Sequence, residues 1–407
     1  MSTLATFSPV SSGSSLPLAP PAAAPWPYFS QEDLDTAQRV LASGKVNYWT
    51  GLECREFETE YARKLGVHHA IALTNGTVAL ELALYAAGIG PGDEVIVTPR
   101  SFIASVSCVV MRGATPVFAD VDQVSQNLTA ATIEPKLTPR TRAIILVHLA
   151  GWPCEMDPIL DLAKARGIAV IEDCAQAHGS YYRGRPAGSI GLINAFSFCQ
   201  DKIMTTGGEG GLVTTNDRDL WNKAWSFKDH GKSYDAVFHR KHEPGFRWLH
   251  EDFGTNWRML ELQGALGRNC LRQLDGWVNL RRRNAALLND ILRDQPAIRL
   301  TEPPPHVEHS YYKYYAFVRP ENLRSGWTRD RIVAEVAAQG VNCLAGSCSE
   351  IYLEKAFARH GIRVDTLPVA AELGQTSVML LVHPTLSQES VVYSGQVLRS
   401  VLQQALR

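Results

Sequence analysis

The sequence of 407 residues contains no run of about 18 consecutive apolar residues, the length that a membrane-spanning helix needs. We therefore expect no membrane partner. Its 40 basic and 41 acidic side chains leave a net charge of −1, so the chain lacks the basic excess typical of nucleic-acid-binding proteins. The eight cysteines include no Cys-x-x-Cys pair, and no histidine cluster has the spacing of a metal site. We expect neither a nucleic-acid partner, a zinc site nor a disulfide framework.

Charge is also missing from residues 1–25, which are rich in Ser, Pro and Ala. A secretory signal has a basic region before its apolar stretch, and this segment has none. We interpret residues 1–25 as a disordered tail. A cytoplasmic protein with reduced cysteines is the corresponding expectation.

Beyond this segment, short runs rich in Val and Ile alternate with helical patterns. The predicted strands cover residues 70–73, 94–98, 115–119, 142–148 and 168–172. The predicted helices cover residues 31–43, 53–65, 77–87, 102–112 and 156–166. This alternation is typical of an α/β fold with a mostly parallel central sheet flanked by helices. In such sheets, ligands bind at the carboxyl ends of the strands.

A second, smaller α/β unit is predicted after a boundary at residues 294–306, DQPAIRLTEPPPH. We predict a large domain over residues 26–275 and a smaller C-terminal domain over residues 276–407. A long helix over about residues 258–293 would link them.

The most informative segment is residues 194–211, NAFSFCQDKIMTTGGEGG. Its apolar start predicts a buried strand, so Lys202 follows directly after a strand end. A partly desolvated lysine at such a position can act as an amine nucleophile toward a carbonyl. The glycines that follow allow the backbone to pass close to a bound group. Taken alone, the segment fits a surface lysine beside a flexible turn equally well.

Three other strand ends carry candidate ligands. Residues 74–77, TNGT, open a helix whose free N–H groups could bind a phosphate, although simple helix capping explains them too. Asp173 needs a partner, either a cationic ring nitrogen or nearby backbone N–H groups. Phe102 could stack on a flat ring or belong to the core. We interpret His178 as a hydrogen-bonded structural histidine.

An amine nucleophile, a phosphate cradle, a strand-end carboxylate and an aromatic side chain together describe a site for pyridoxal 5′-phosphate (PLP). This cofactor carries the chemistry, and the protein orients and tunes it. A carboxylate opposite the pyridine nitrogen would keep that nitrogen protonated.

Four segments, in order, resemble the signatures of the DegT/DnrJ/EryC1/StrS sugar aminotransferases. They are TNGTVALELAL, EDCAQAHGS, SFCQDKIMTTGGEGG and GTNWRMLELQGALG, and the resemblance covers about residues 26–390. It implies the aspartate aminotransferase fold (fold type I) and a PLP-dependent transaminase.

The resemblance also implies a role for individual residues. Lys202 and Asp173 would be catalytic: Lys202 would bind the cofactor covalently and then move the proton, and Asp173 would pair with the pyridine nitrogen. Gln176 would lie near the phenolic oxygen of the ring. The other implied contacts are with the phosphate (Gly76, Thr77, Ser197), the ring face (Phe102), the cofactor of a neighbouring subunit (Asn256) and the substrate (Arg258, His148). Contacts from Asn256 and Arg258 to the neighbouring subunit would make the enzyme a homodimer with shared active sites.

Lysine at position 202, where dehydrating members of the family have histidine, favours amino transfer. The expected reaction moves an amino group, with glutamate as donor, onto the ketone of a nucleotide-linked keto-deoxysugar in aminosugar or polysaccharide biosynthesis. The alternatives are a glutamine-dependent enzyme acting on a cyclitol ketone and a PLP-binding protein without turnover. Trp152, in HLAGW where many relatives have HLYG, either shapes the sugar pocket or fills the core.

Overall fold

The computed structural model describes residues 25–407. Apart from Pro25, the predicted tail lies outside the described residues. The strands are β1 (His69–Leu73), β2 (Glu94–Val97), β3 (Thr115–Phe118), β4 (Thr141–Val147), β5 (Ala169–Asp173), β6 (Tyr181–Tyr182), β7 (Arg185–Pro186), β8 (Ile193–Ser197), β9 (Gly211–Thr215), β10 (Ile298–Leu300), β11 (Val307–Glu308), β12 (Tyr314–Val318), β13 (Cys343–Leu344) and β14 (Ser377–Leu380). The α-helices are α1 (Gln31–Ala42), α2 (Glu53–Leu65), α3 (Gly76–Ala86), α4 (Ala104–Met111), α5 (Ala130–Ile133), α6 (Met156–Arg166), α7 (Arg218–Lys228), α8 (Tyr234–Phe238), α9 (Glu261–Leu292), α10 (Arg329–Ala337), α11 (Lys355–Arg359), α12 (Pro368–Thr376) and α13 (Gln388–Ala405).

A seven-stranded sheet in the order β1-β9-β8-β5-β4-β2-β3 forms the centre of the fold. Neighbours from β3 through β8 pair in parallel, whereas β9 runs antiparallel to both β1 and β8. Strands such as β2 and β8 are buried along their whole length, which explains their largely apolar sequences. The prediction of a mostly parallel sheet flanked by helices is therefore confirmed.

Strand β9 is absent from the strands predicted from the sequence, in which only its first residue, Gly211, belongs to the glycine-rich segment. All five of its residues are buried between β1 and β8. Gly211 is required at its start because a Cβ there would lie 2.1 Å from the Asn75 carbonyl oxygen. Glycine at this position thus allows two backbone segments to approach each other. In the sequence, the same glycines are typical of a turn, so the pattern does not indicate the buried strand that follows.

A second sheet, in the order β10-β12-β14-β13, packs with α10, α13 and the C-terminal part of α9. Helix α9 has 32 residues, close to the predicted linking helix. Cys270 and Leu274 in its first half pack beneath the large sheet, and Leu288 and Leu292 pack in the core of the second. The division at residues 275 and 276 stays a prediction. Within residues 25–407, no helix combines the length and the apolar character needed to cross a bilayer.

Candidate active site

Three strand ends meet at one edge of the large sheet. Strands β1, β5 and β8 point in the same direction, because β9 is antiparallel to both β1 and β8 while β5 and β8 are parallel. Asp173 ends β5, Ser197 ends β8, and residues 74–76 follow β1. The sheet therefore brings a carboxylate, a hydroxyl and a helix start to its carboxyl edge.

The start of α3 forms a cradle against the end of β8. The Asn75 side chain accepts a hydrogen bond of 3.0 Å from the Val78 amide, so the helix begins at Gly76. A Cβ at Gly76 would lie 2.5 Å from the Ser197 Cβ, so the close approach requires glycine. The first N–H groups of a helix have no intrahelical partner, and Thr77 in that turn is exposed. Gly76, Thr77 and Ser197 together fit a phosphate group.

Asp173 is a buried carboxylate without a cationic hydrogen-bond partner in residues 25–407. It is 3% exposed and accepts hydrogen bonds from the Ser105 hydroxyl (2.7 Å) and the Ala175 amide (3.1 Å). Burial raises the pKa of Asp173, while the Ser105 hydrogen bond and the positive charge of Lys202 act in the opposite direction. A protonated ring nitrogen would supply the missing compensation, so Asp173 fits the cofactor that the sequence predicts.

Lys202 lies in the loop between β8 and β9, and its side chain is 15% exposed. Its Nζ is 3.7 Å from an oxygen of Asp201 and 5.0 Å from the centre of the Tyr312 ring. Its positive charge is one of the influences that lower the pKa of Asp173 against the larger effect of burial. The Lys202 side chain is thus largely shielded from solvent, and its catalytic role stays a prediction.

Trp26 is a contact of this loop that sequence reasoning missed. Its indole N–H donates a 2.9 Å hydrogen bond to the Lys202 carbonyl oxygen. Its ring packs edge-on against Trp277 at 5.2 Å, and the Arg281 guanidinium lies 5.1 Å from its centre. The only indication in the sequence is a bulky aromatic residue directly after a stretch of small residues. This pattern does not predict that Trp26 contacts a residue 176 positions further along the chain.

Two further predicted cofactor ligands lie near this edge. Gln176 is buried, and its side-chain oxygen accepts a 2.7 Å hydrogen bond from the Ala150 amide. That bond leaves the donors of its amide group for another partner. Phe102 follows β2 and is 67% exposed, so its ring is accessible. Their contacts with a cofactor stay predictions.

The DegT/DnrJ/EryC1/StrS aminotransferase family model matches residues 27–399. The chain belongs to this family. The GDP-perosamine synthase of Escherichia coli O157:H7 is 36% identical over 355 residues, which cover 86% of this chain and 89% of the relative. The GDP-perosamine synthase of Caulobacter vibrioides is 42% identical over 290 residues, covering 70% of this chain and 74% of the relative. A solved aminotransferase structure from Psychrobacter cryohalolentis is 52% identical with a TM-score of 0.93, covering 94% of this chain and 100% of that chain.

The family assignment confirms the predicted fold and cofactor: this chain is a PLP-dependent aminotransferase of the DegT/DnrJ/EryC1/StrS family. The cradle, the buried Asp173 and the adjoining Lys202 agree with that assignment on geometry alone.

In this aminotransferase, Asn256 and Arg258 lie beside the cradle rather than at Lys202. The carbonyl oxygen of Trp257 accepts a 3.1 Å hydrogen bond from the Thr74 amide. Arg258 donates a 2.8 Å hydrogen bond to Asp229, which is completely buried. Within the described chain, no hydrogen bond or ion pair joins Arg258 or Asn256 to Lys202 or Asp173. Their predicted role toward a neighbouring subunit therefore stays a prediction.

The prediction that His148 binds substrate is wrong. His148 is completely buried at the end of β4. Its Nε2 lies 2.8 Å from a Glu172 oxygen, and its Nδ1 accepts a 3.0 Å hydrogen bond from the Cys154 amide. Because Nδ1 accepts, the proton is on Nε2, which donates to Glu172. Both ring nitrogens are thus used inside the core, and none faces a substrate.

Packing explains the positions of His178 and Trp152. His178 is a structural histidine, as predicted: its ring nitrogens lie 2.8 Å from the Tyr61 hydroxyl and 2.9 Å from the Ser197 carbonyl oxygen. Burial lowers the pKa of His178 to about 4, so it is neutral at pH 7 and anchors the end of β8. Trp152 is 5% exposed and belongs to the large hydrophobic core.

Proposed function

We propose that this aminotransferase moves an amino group from glutamate onto the ketone of a nucleotide-linked keto-deoxysugar. The observation that carries the proposal is that the neighbouring parallel strands β5 and β8 lead to Asp173 and to the loop of Lys202, at the edge that also holds the glycine cradle. The names of the two perosamine synthases support a nucleotide sugar as the acceptor. Free cysteines throughout the described chain agree with a cytoplasmic location.

Each side chain of the site has a distinct task in this reaction. PLP, when bound, serves as an electron sink for the substrate carbon that loses its proton. The first amides of α3 and the Ser197 hydroxyl would hold its phosphate. Asp173 would keep the ring nitrogen protonated. Lys202 would bind the cofactor in the resting enzyme, and its free amine would later take the proton from the substrate carbon and return it.

The proposed activity is tested by incubating the enzyme and PLP with ¹⁵N-glutamate and a panel of nucleotide-linked 4-keto and 3-keto sugars. We expect mass spectrometry to show a ¹⁵N-labelled amino sugar with at least one of them, because the site provides every group that amino transfer needs. In a parallel incubation, glutamine replaces glutamate and carries the ¹⁵N label on either its amide or its amine nitrogen. Turnover with glutamine and none with glutamate would contradict the proposed donor. Absence of product with both donors would favour PLP binding without turnover.

A homodimer is part of the same proposal. The segment that leads to Asn256 exposes several large apolar side chains to an unusual degree: Phe246 (77%), Trp248 (82%) and Phe253 (93%). An exposed aromatic group of this size suits coverage by another protein surface. A second copy of the chain would cover it and bring Asn256 and Arg258 to the other copy's cofactor.

Subunit complementation tests whether sites are shared. Lys202→Ala and Arg258→Gln should each be inactive as homodimers. Coexpressed in equal amounts, they should regain about a quarter of wild-type activity, because half of the dimers then contain one intact shared site. Glutamine at position 258 retains a hydrogen bond to Asp229, which limits damage to the fold. A mixture as inactive as the separate variants would show that each site lies within one chain.

A further inference from the structure

The acidic residue directly before the catalytic lysine contacts two lysines at once. One Asp201 oxygen lies 3.7 Å from the Lys202 Nζ, and the other lies 3.8 Å from the Lys313 Nζ. The Tyr312 hydroxyl donates a short hydrogen bond to the oxygen on the Lys313 side. Asp201 is thus one carboxylate shared between two ammonium groups, with a phenol that fixes its orientation.

Tyr312 fixes this arrangement from the opposite side of the site. Both ammonium groups lie near its ring, Lys202 at 5.0 Å and Lys313 at 4.6 Å from its centre. The buried Arg281 donates a 3.1 Å hydrogen bond to the Tyr312 carbonyl oxygen. The geometry therefore comes from three separate parts of the chain: the loop after β8, helix α9 and the segment before β12.

We propose that Asp201 is a positioning residue that stabilises the protonated form of Lys202 and that Lys313 limits this effect by competing for the same carboxylate. The inference rests on the proposed function, since only a lysine that takes up and returns a proton needs its ammonium form tuned. When Lys202 is covalently engaged, Asp201 still has Lys313 as a counter-charge. When the substrate carbon–hydrogen bond breaks, its proton forms an N–H bond on the Lys202 amine, and the resulting ammonium lies beside Asp201.

The electrostatics of the cluster agree with this division of roles. Partial burial raises the pKa of Asp201, but the charge of Lys202, the Tyr312 hydroxyl and Lys313 outweigh it, and the net pKa lies below the ordinary value. Burial lowers the pKa of Lys313, and Asp201 opposes that shift. Other charged or titratable groups act on this cluster from the packed elements: Asp173 at the end of β5, His178 after β5, Arg281 on α9, and His383 after β14.

The test uses two variants whose expected effects have opposite signs. Asp201→Asn removes the anion and should make the Lys202 amine free at lower pH. Lys313→Met keeps the apolar stem, removes the competing cation and should make that amine free at higher pH. Each shift should be about half a pH unit, the size expected for a partly exposed ion pair. Asp290→Asn, on the exposed end of α9, is the control because it removes the same charge as Asp201→Asn. It should not change the pH at which the Lys202 amine becomes free.

Two measurements report on the amine. The first is trace acetylation of the full-length protein, after its cofactor has been removed, across a pH series, with mass spectrometry of the Lys202 peptide and exposed Lys355 as reference. The second is the acidic limb of the kcat profile of the holoenzyme. Opposite shifts in the two variants support the proposal, and any other pattern, including shifts of equal sign or none, overturns it. Because acetylation needs no turnover, failure of the proposed reaction and failure of the shared-carboxylate proposal are distinguishable.

Discussion

Lys202→Ala is expected to abolish amino transfer, with kcat reduced by at least about four orders of magnitude. The variant lacks the amine that we expect to bind the cofactor covalently and to move the proton. The protein should still fold, because Lys202 lies in a loop and its partly exposed partner Asp201 retains Lys313. Single-turnover assays and thermal melting measure the two effects separately.

The matched control for this prediction is Lys355→Ala, which removes an exposed lysine from α11. It should leave kcat unchanged. Residual turnover of Lys202→Ala well above about 0.01% of the wild-type rate would mean that another group carries the proton, and the assignment of Lys202 would fail.

Asp173→Asn is expected to reduce kcat by about a hundredfold or more while the variant still binds the cofactor phosphate. Asparagine has nearly the same shape but no negative charge, so it cannot keep the ring nitrogen protonated. The cradle around Gly76 and Ser197 is untouched by the change. Steady-state kinetics and equilibrium cofactor binding check the two parts, and an unchanged kcat would contradict the role of Asp173.

The same substitution should stabilise the cofactor-free protein at pH 7. Burial raises the pKa of Asp173 in the folded chain above its value in the unfolded chain. A raised folded pKa favours the folded chain below the unfolded pKa, and this contribution to the free energy of unfolding is lost as the pH rises through the folded pKa. Asparagine has no ionisable group, so the variant does not lose this stability. The melting temperature of Asp173→Asn should exceed that of wild type at pH 7, with a gap that narrows toward pH 4.

Site residues could be predicted where the local sequence pattern determines their place at a strand end or a helix start. Lys202 and Asp173 follow strands, and parallel strands bring their carboxyl ends to one edge, so their proximity follows from the alternating pattern. Gly76 opens a helix whose cap is visible in the sequence. The predicted helix α2 likewise has the bounds Glu53–Leu65, because Gly66 ends it with a positive φ of 68°.

The contacts that could not be predicted all depend on distant chain segments. The Trp26 hydrogen bond to Lys202 and the Asp201 contact with Tyr312 join residues more than 100 positions apart. The role of His148 was misjudged for the same reason, because a histidine at a strand end is indistinguishable in sequence from one that pairs inward with Glu172. Side-chain direction at a strand end is set by tertiary packing and not by local pattern.

The most direct test of the central claim is to locate the covalent attachment of the cofactor. Wild-type enzyme loaded with PLP is treated with borohydride, which reduces the link irreversibly, and its peptides are then analysed by mass spectrometry. We predict the pyridoxyl mass on Lys202 alone among the lysines, at close to one per chain, and none after Lys202→Ala. Stoichiometric labelling of another lysine, with Lys202 unmodified, would contradict the account.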